Sequence, residues 1–242
     1  MLMRLPRVNY KYATYISSLL ALILIVFNVY YFFIKRDVGI SFYYQKVFSS
    51  AKDAVLYSPD YLDLVDQYAY LNQSVNTVAM VFLGDSNIKR FNVEEYFQGY
   101  NVINRGMYSD TSVSLLKRLD RNVNNLEISK LFLLIGYNDL QYRSNTEVVD
   151  NITLILNRIK AEKIYLQSIL PVDVKIKDAN VRIVDINGEL RKHCVGKNVE
   201  YVDLHRHYLN EAGGLSEKYS VDGIHLNGQG YLLWKELILD KM

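Results

Sequence analysis

Two kinds of apolar run punctuate the chain. The first occurs once, at residues 16–34, as ISSLLALILIVFNVYYFFI, nineteen residues without a charge. At about 1.5 Å per residue such a helix is roughly 28 Å long, close to the thickness of a bilayer's hydrocarbon core. Tyr30, Tyr31, Phe32 and Phe33 stand at its end, where an interfacial aromatic belt belongs, and Lys35 and Arg36 stop it. The pattern predicts a transmembrane anchor. A cleaved signal peptide fits less well, because the run is long and no A-x-A-like site follows. A buried core helix fits less well too, because no polar face interrupts the run.

The second kind is short and repeats. Residues 78–83 (VAMVFL) and 131–135 (LFLLI) are continuous apolar runs, each closed by a glycine, Gly84 and Gly136. With 100–103, 164–167 and 199–202 they predict five strands buried on both faces. Between them, 111–121, 147–162, 180–193 and 228–239 place apolar residues at helical spacing. Strand and helix alternate, which predicts a five-stranded parallel sheet covered by helices on both sides, over residues 77–242. Residues 35–76 read as a stem. They contain Tyr43, Tyr44, Tyr57, Tyr61, Tyr68, Tyr70 and Pro59, with a short helix expected at 60–71.

Charge changes the picture only at the N-terminus. Arg4, Arg7 and Lys11 precede the apolar run, and residues 1–34 carry no acid. Removing those three from the chain's 28 basic residues leaves 25 against 26 acidic ones, so the remainder is close to neutral. That excludes a nucleic-acid-binding surface of the usual basic kind. Basic residues flank both sides of the run, so the positive-inside count alone does not orient it. A short basic tail before a long domain favours a cytoplasmic tail and a domain on the periplasmic or extracellular side. Cys194 is the only cysteine, so no internal disulfide forms.

The candidate chemistry lies just past the carboxyl ends of strands. Gly84-Asp85-Ser86 follows the first strand, Asn104-Arg105-Gly106 the second, and Gly136-Tyr137-Asn138-Asp139 the third. In a sheet of order 2-1-3-4-5 these ends flank the switch point where ligands bind. Near the C-terminus, Asp222 precedes His225 by three residues, close enough within one turn to bond its Nδ1–H and leave Nε2 as a base. Ser86 is then a candidate nucleophile, His225 its base, and Asp222 the group that orients the imidazole. Backbone N–H groups of Ser86 and Gly106 and the side-chain amide of Asn138 are candidate oxyanion donors. Glycine at 106 would let its N–H approach without a Cβ in the way.

These blocks, GDSN at 84–87, NRG at 104–106, GYND at 136–139 and DGIHLNGQGY at 222–231, resemble the SGNH hydrolases, also called GDSL-type lipases and esterases. The resemblance covers about residues 77–242 and leaves the anchor and stem outside it. It implies a flavodoxin-like three-layer α/β/α sandwich and the roles just assigned to Ser86, Gly106, Asn138, Asp222 and His225. It departs from the family at Tyr108, where a small residue is usual.

Other polar residues read more plainly. Asp85 is expected as a hydrogen-bonder of the turn, Asp139 as a helix N-cap, and Asp110 and Thr111 as caps of the next helix. Arg105 is open between a substrate carboxylate and a structural ion pair. His205 and His207 read as surface or packing residues rather than metal ligands. His193 beside Cys194 reads as a helix end rather than a thiol dyad.

Residues 77–242 are near the minimum for five βα units, which leaves no insertion for a long lid. An open cleft favours short acyl groups. The expected function is a serine esterase removing O-acyl groups, foremost O-acetyl, from a cell-envelope glycan or lipid at the membrane. Its alternatives are an O-acyltransferase using the same residues, a lysophospholipase, or a non-enzymatic binding module. Neither a metal nor an organic cofactor is implied.

Overall fold

A computed structural model of the chain describes residues 22–24, 26, 59–75, 77–176, 178–194 and 198–242. The run at 16–34 lies outside these except for Leu22, Ile23, Leu24 and Val26, which are helical and exposed. Among the described residues no helix is long and apolar enough to cross a membrane.

The main unit contains α1 (Pro59–Asn72), β1 (Thr77–Gly84), the short helices α2 (Ser86–Lys89) and α3 (Val93–Tyr96), β2 (Val102–Gly106), α4 (Ser112–Asn122), β3 (Glu127–Leu134), α5 (Asn145–Arg158), β4 (Lys163–Gln167), α6 (Ala179–His193), β5 (Val199–Val202) and α7 (Gly228–Ile238). The strands are all parallel, in the order β2-β1-β3-β4-β5. This is the flavodoxin-like order expected above.

Although residues 78–83 of β1 and 131–134 of β3 are continuously apolar, their side chains sort by the two-residue period of a strand. Val81, Leu83, Leu131 and Leu133 enter a core roofed by Leu115 and Leu119 of α4, Val148, Ile152 and Ile155 of α5, and Ile183, Ile186 and Leu190 of α6. Met80, Phe82, Phe132 and Leu134 enter the opposite core with Ile88, Phe91, Tyr231 and Trp234. That second core is a stack of rings. Phe82 lies 4.8 Å from Phe132, Phe132 lies 4.8 Å from Tyr165, and Phe91 lies 4.9 Å from Tyr231. The indole Nε1–H of Trp234 donates to Gln167 at 2.6 Å, so the buried ring keeps its polar handle satisfied.

Two strands differ from expectation for identifiable reasons. Strand β2 runs on to Gly106 through Asn104 and Arg105, polar residues that an apolar pattern leaves out. Both side chains are bonded where they stand, although the buried Nε of Arg105 has no partner. Asn104 donates to the carbonyls of Ile88 and Phe91 at 2.7 and 2.8 Å. Arg105 donates to Asn72 and Asn104 and lies 4.7 Å over the ring of Tyr68. It is a structural cation beneath α1, which closes the question left open for it. Strand β3 starts at Glu127, because Glu127 and Ile128 pair with Thr77 and Val78 at the partly exposed bottom of the sheet.

Helix α1 corrects the expected domain boundary. Rather than forming part of a stem, it packs on the sheet domain with one face buried: Tyr61, Val65, Tyr68 and Asn72, spaced four, three and four residues apart.

The ends of three strands are held level. Gly84 is in register with Gly106 on one side and Leu134 on the other. A Cβ at Gly84 would collide with the carbonyl oxygen of Leu134, so only glycine lets the chain leave β1 here. Beneath this level Arg118 and Asp110 form an ion pair at 2.7 Å, their side chains 2% and 0% exposed. Arg118 also donates to the carbonyls of Arg105 at 2.9 Å and Gly84 at 3.4 Å. Replacing Arg118 with Met should therefore strand a buried carboxylate and free two strand ends. The expected loss is about 3–5 kcal/mol of unfolding free energy in urea titrations. A loss under about 1 kcal/mol, the range of an exposed pair, would contradict this placement.

Candidate active site

Ser86 opens α2, two residues past the end of β1. Asp85 caps this helix, its carboxylate accepting the Asn87 N–H at 2.9 Å, the turn role expected for it. His225 arrives from the other end of the chain. The segment between β5 and α7 folds back through the bridge between Ser220 and Leu226. Ser86 Oγ lies 2.9 Å from His225 Nε2, and His225 Nδ1 lies 2.7 Å from Asp222 Oδ2. The three residues expected to work together are thus brought into one continuous line.

The imidazole is held from all sides. Asp222 Oδ1 accepts the N–H groups of His225 at 2.7 Å and Ile224 at 3.0 Å. Ser220 Oγ donates to the His225 carbonyl at 2.7 Å and accepts the Gly223 N–H at 3.0 Å. Asn87 clamps the loop to α2, taking the Leu226 N–H at 3.2 Å and donating to the Ile224 carbonyl at 3.5 Å. The Tyr231 hydroxyl donates to the Asn87 carbonyl at 2.8 Å. Arg90 sits 3.7 Å from Asp222 Oδ2. Of these, Asn87 was legible in hindsight as the polar residue after Ser86. Ser220, Arg90 and Tyr231 carried no sequence signal of their own.

Asp222 stays ionised. Desolvation pushes its carboxyl up, but the backbone N–H and ring of His225, with the Ile224 N–H, outweigh this and hold it well below the usual carboxylate range. A fixed negative charge at Nδ1 settles the tautomer and leaves Nε2 facing Ser86 as an acceptor. Tyr137 lies near both Asp222 and Asp85, and its phenol is raised first by burial and then by those carboxylates.

The oxyanion side differs from expectation at one residue. The Gly106 N–H is donated to Asn104 Oδ1 at 2.7 Å and so is not available to substrate. Glycine is required there for a different reason. A Cβ would collide with the backbone nitrogen of Lys89 in α2, so Gly106 lets strand β2 pack against the helix that carries Ser86. The turn that follows holds Ser109 at φ 57°, in the left-handed region that a residue with a Cβ enters at a cost. Asn138 opens the short helical turn past β3. Its amide donates one hydrogen to the Asp110 carbonyl at 2.9 Å, which fixes the amide plane and leaves a second hydrogen to donate.

Asp139 caps a helix, but not its own. Its carboxylate accepts from the N–H and hydroxyl of Ser112, at 2.8 and 2.6 Å, at the start of α4. Thr111 is the N-cap of α4, in a capping box with Ser114. His193 Nδ1 bonds the Glu189 carbonyl at 2.8 Å, and the buried Cys194 thiol bonds that of Leu190. Each bonds a carbonyl of its own helix. Among the described residues no group of histidine, cysteine or acidic side chains could hold a metal ion.

The sequence pattern of the GDSL-like lipase/acylhydrolase family matches residues 82–233, more than half of the chain. The chain belongs to that family. It is a carboxylic ester hydrolase of the GDSL type. Among solved structures it is similar to a protein of Streptococcus pneumonia provisionally described as a platelet activating factor. The TM-score is 0.69 at 27% identity, covering 74% of this chain and 91% of that one. It is also similar to a GDSL-like lipase of Bacteroides thetaiotaomicron, with a TM-score of 0.64 at 23% identity, covering 73% and 96%. The acetyl xylan esterase AlAXEase superposes with a TM-score of 0.60 at 16% identity, covering 68% and 100%. At these identities the last two speak for the fold alone. No curated protein gives a significant sequence match.

Burial pushes the Asp85 carboxyl of this hydrolase up to about 7, opposed by the Asn87 N–H and reinforced by Asp110 and Asp139. The folded chain therefore keeps that proton to about pH 7, whereas the unfolded chain releases it near pH 4. Between those values the unfolded state binds fewer protons, so this group's contribution makes stability fall as pH rises from about 4 to about 7, and then level off. Asp85→Asn, which cannot ionise, should remove that part of the slope. Denaturant titrations at about pH 4.5, 6 and 8 would measure it, and an unchanged slope would exclude a neutral Asp85 in the folded state.

Proposed function

We propose that this enzyme removes short O-acyl groups, foremost O-acetyl, from a cell-envelope glycan or lipid through an acyl-enzyme on Ser86. The observation that carries the reading is the unbroken line from Ser86 Oγ to His225 Nε2 and from His225 Nδ1 to Asp222 Oδ2. In this reading Ser86 Oγ attacks the acyl carbon as its proton passes to Nε2, and Asp222 stabilises the imidazolium that forms. The carbonyl oxygen becomes an oxyanion. Its donors are the Ser86 N–H, the free amide hydrogen of Asn138 and, in place of Gly106, the N–H of Ser109. Collapse breaks the bond to the leaving alcohol, which takes the proton from Nε2. Water then attacks the acyl-enzyme by the same route, with His225 again the base, and releases the acid and free Ser86.

Several features support short acyl groups. The rim of the site is open, with Tyr108 and Val221 exposed. The longest connection near it, from β5 to α7, is already used to deliver Asp222 and His225, so it is not available as a lid. The envelope location rests on the uncharged run at 16–34, read as an anchor with the catalytic domain on the non-cytoplasmic side.

The test is an acyl-chain series of nitrophenyl esters on the full chain in detergent, together with site variants. Acetyl and butyryl esters should be turned over faster than octanoyl, and a long-chain preference would favour a lysophospholipase instead. Ser86→Ala should lose both turnover and fluorophosphonate labelling while keeping its fold; a variant that still labels would remove Ser86 from the mechanism. Asn138→Ala should lower kcat by roughly 10²- to 10³-fold with little change in KM, because the donor acts on the oxyanion rather than the ground-state carbonyl. A raised KM with kcat spared would make Asn138 a binding residue.

A further inference from the structure

Helix α1 reaches the loop that carries the oxyanion donors at two points. Tyr61 and Tyr68 lie seven residues apart, two turns of helix, and so share its buried face. The Tyr68 hydroxyl donates to the Gly106 carbonyl at 2.9 Å, at the start of the loop. The Tyr61 hydroxyl donates to Asp110 Oδ1 at 2.9 Å, at its end. The turn at Ser109 lies between the two.

Each hydroxyl is tied into the site's own framework. Lys89, in the helix of Ser86, donates to the Tyr68 oxygen at 3.2 Å. Asp110 receives the Nε and NH2 groups of Arg118 on its other carboxylate oxygen, at 3.0 and 2.7 Å. Its backbone carbonyl is the acceptor that fixes Asn138. Tyr61 therefore bonds the side chain of the residue whose main chain holds one donor and whose predecessor supplies another.

We propose that α1 is part of the active site, with Tyr61 and Tyr68 as positioning residues that hold the 106–110 loop so that its donors meet the oxyanion. Neither touches substrate. Their effect passes through Asp110 and Gly106 to Asn138 and Ser109, and the proposal rests on the reading of Ser86 as nucleophile given above. Ser109 sits in a backbone conformation that costs free energy, so the loop needs such restraints to stay in place. The clamp lies outside the region matched by the family pattern, which begins at residue 82. It is an addition made by the segment leading into the domain.

The experiment uses the full chain in detergent, with nitrophenyl acetate as substrate and active sites titrated by a fluorophosphonate, so that misfolded protein is not counted. Tyr61→Phe and Tyr68→Phe keep the rings and remove only the hydroxyls. Each should lower kcat per titrated site by about tenfold, the scale of one hydrogen bond, with KM within about twofold of the unchanged chain. Asp66→Asn, also in α1, breaks an exposed pair with Arg121 of α4 and should leave kcat unchanged. If both phenylalanine variants keep kcat per site within about twofold while their melting temperatures fall, the tyrosines only stabilise the fold and the proposal is overturned. Ser86→Ala, run alongside, separates the two readings. Turnover surviving there overturns the nucleophile and the clamp together, whereas an inactive Ser86→Ala beside undiminished tyrosine variants overturns the clamp alone.

Discussion

The buried ion pair between Arg118 and Asp110 is the constraint on which the rest of the site depends. A pair this deep recovers little net free energy, because two desolvated charges must be offset by their contact and by every further hydrogen bond. Here Arg118 still leaves one guanidinium nitrogen without a partner. What the pair supplies is position. Arg118 gathers the carbonyls at the ends of β1 and β2, Asp110 presents its own carbonyl to Asn138, and Tyr61 closes the remaining carboxylate oxygen. The turn before Ser86, the 106–110 loop and helix α1 are thereby referred to one buried point.

The same logic accounts for a polar interior around the site. Asp85, Asp110 and Asp139 are all buried behind the strand ends, and burial raises each carboxyl. Asp110 and Asp139 are offset by Arg118 and Arg143, while Asp85 is left with an N–H bond and a pKa near 7. Asp222, in contrast, keeps a depressed pKa because N–H groups and an imidazole surround it near the surface. The group that must remain charged beside His225 is the one placed where charge is supported.

The sheet and the line Ser86–His225–Asp222 were legible along the chain, because both rest on local patterns. Apolar runs closed by glycine mark buried strands, and a carboxylate three residues before a histidine can reach it within one turn. Gly106 was misread for an instructive reason. A glycine after a strand signals a close approach, but the sequence does not say to what. The close neighbour is the backbone of Lys89, and the N–H is consumed by Asn104. Helix α1 was foreseen as a helix but not as part of the domain, and the sequence gives no work to the hydroxyls of its tyrosines. Two of them are now accounted for as hydroxyl donors to one loop.

What the sequence determined by itself was the order of strands and helices, the family and which serine, histidine and aspartate line up. These follow from periodicity and from short motifs whose residues lie within a turn of each other. What only the tertiary structure decided was that Asn104 takes the Gly106 N–H, which loop Asn87 clamps, and that Tyr61 and Asp110 meet across 49 residues. The physical reason is that hydrogen bonds and close packing depend on direction and distance to groups remote in the chain. Neither direction nor distance exists until the sheet has brought its strand ends level.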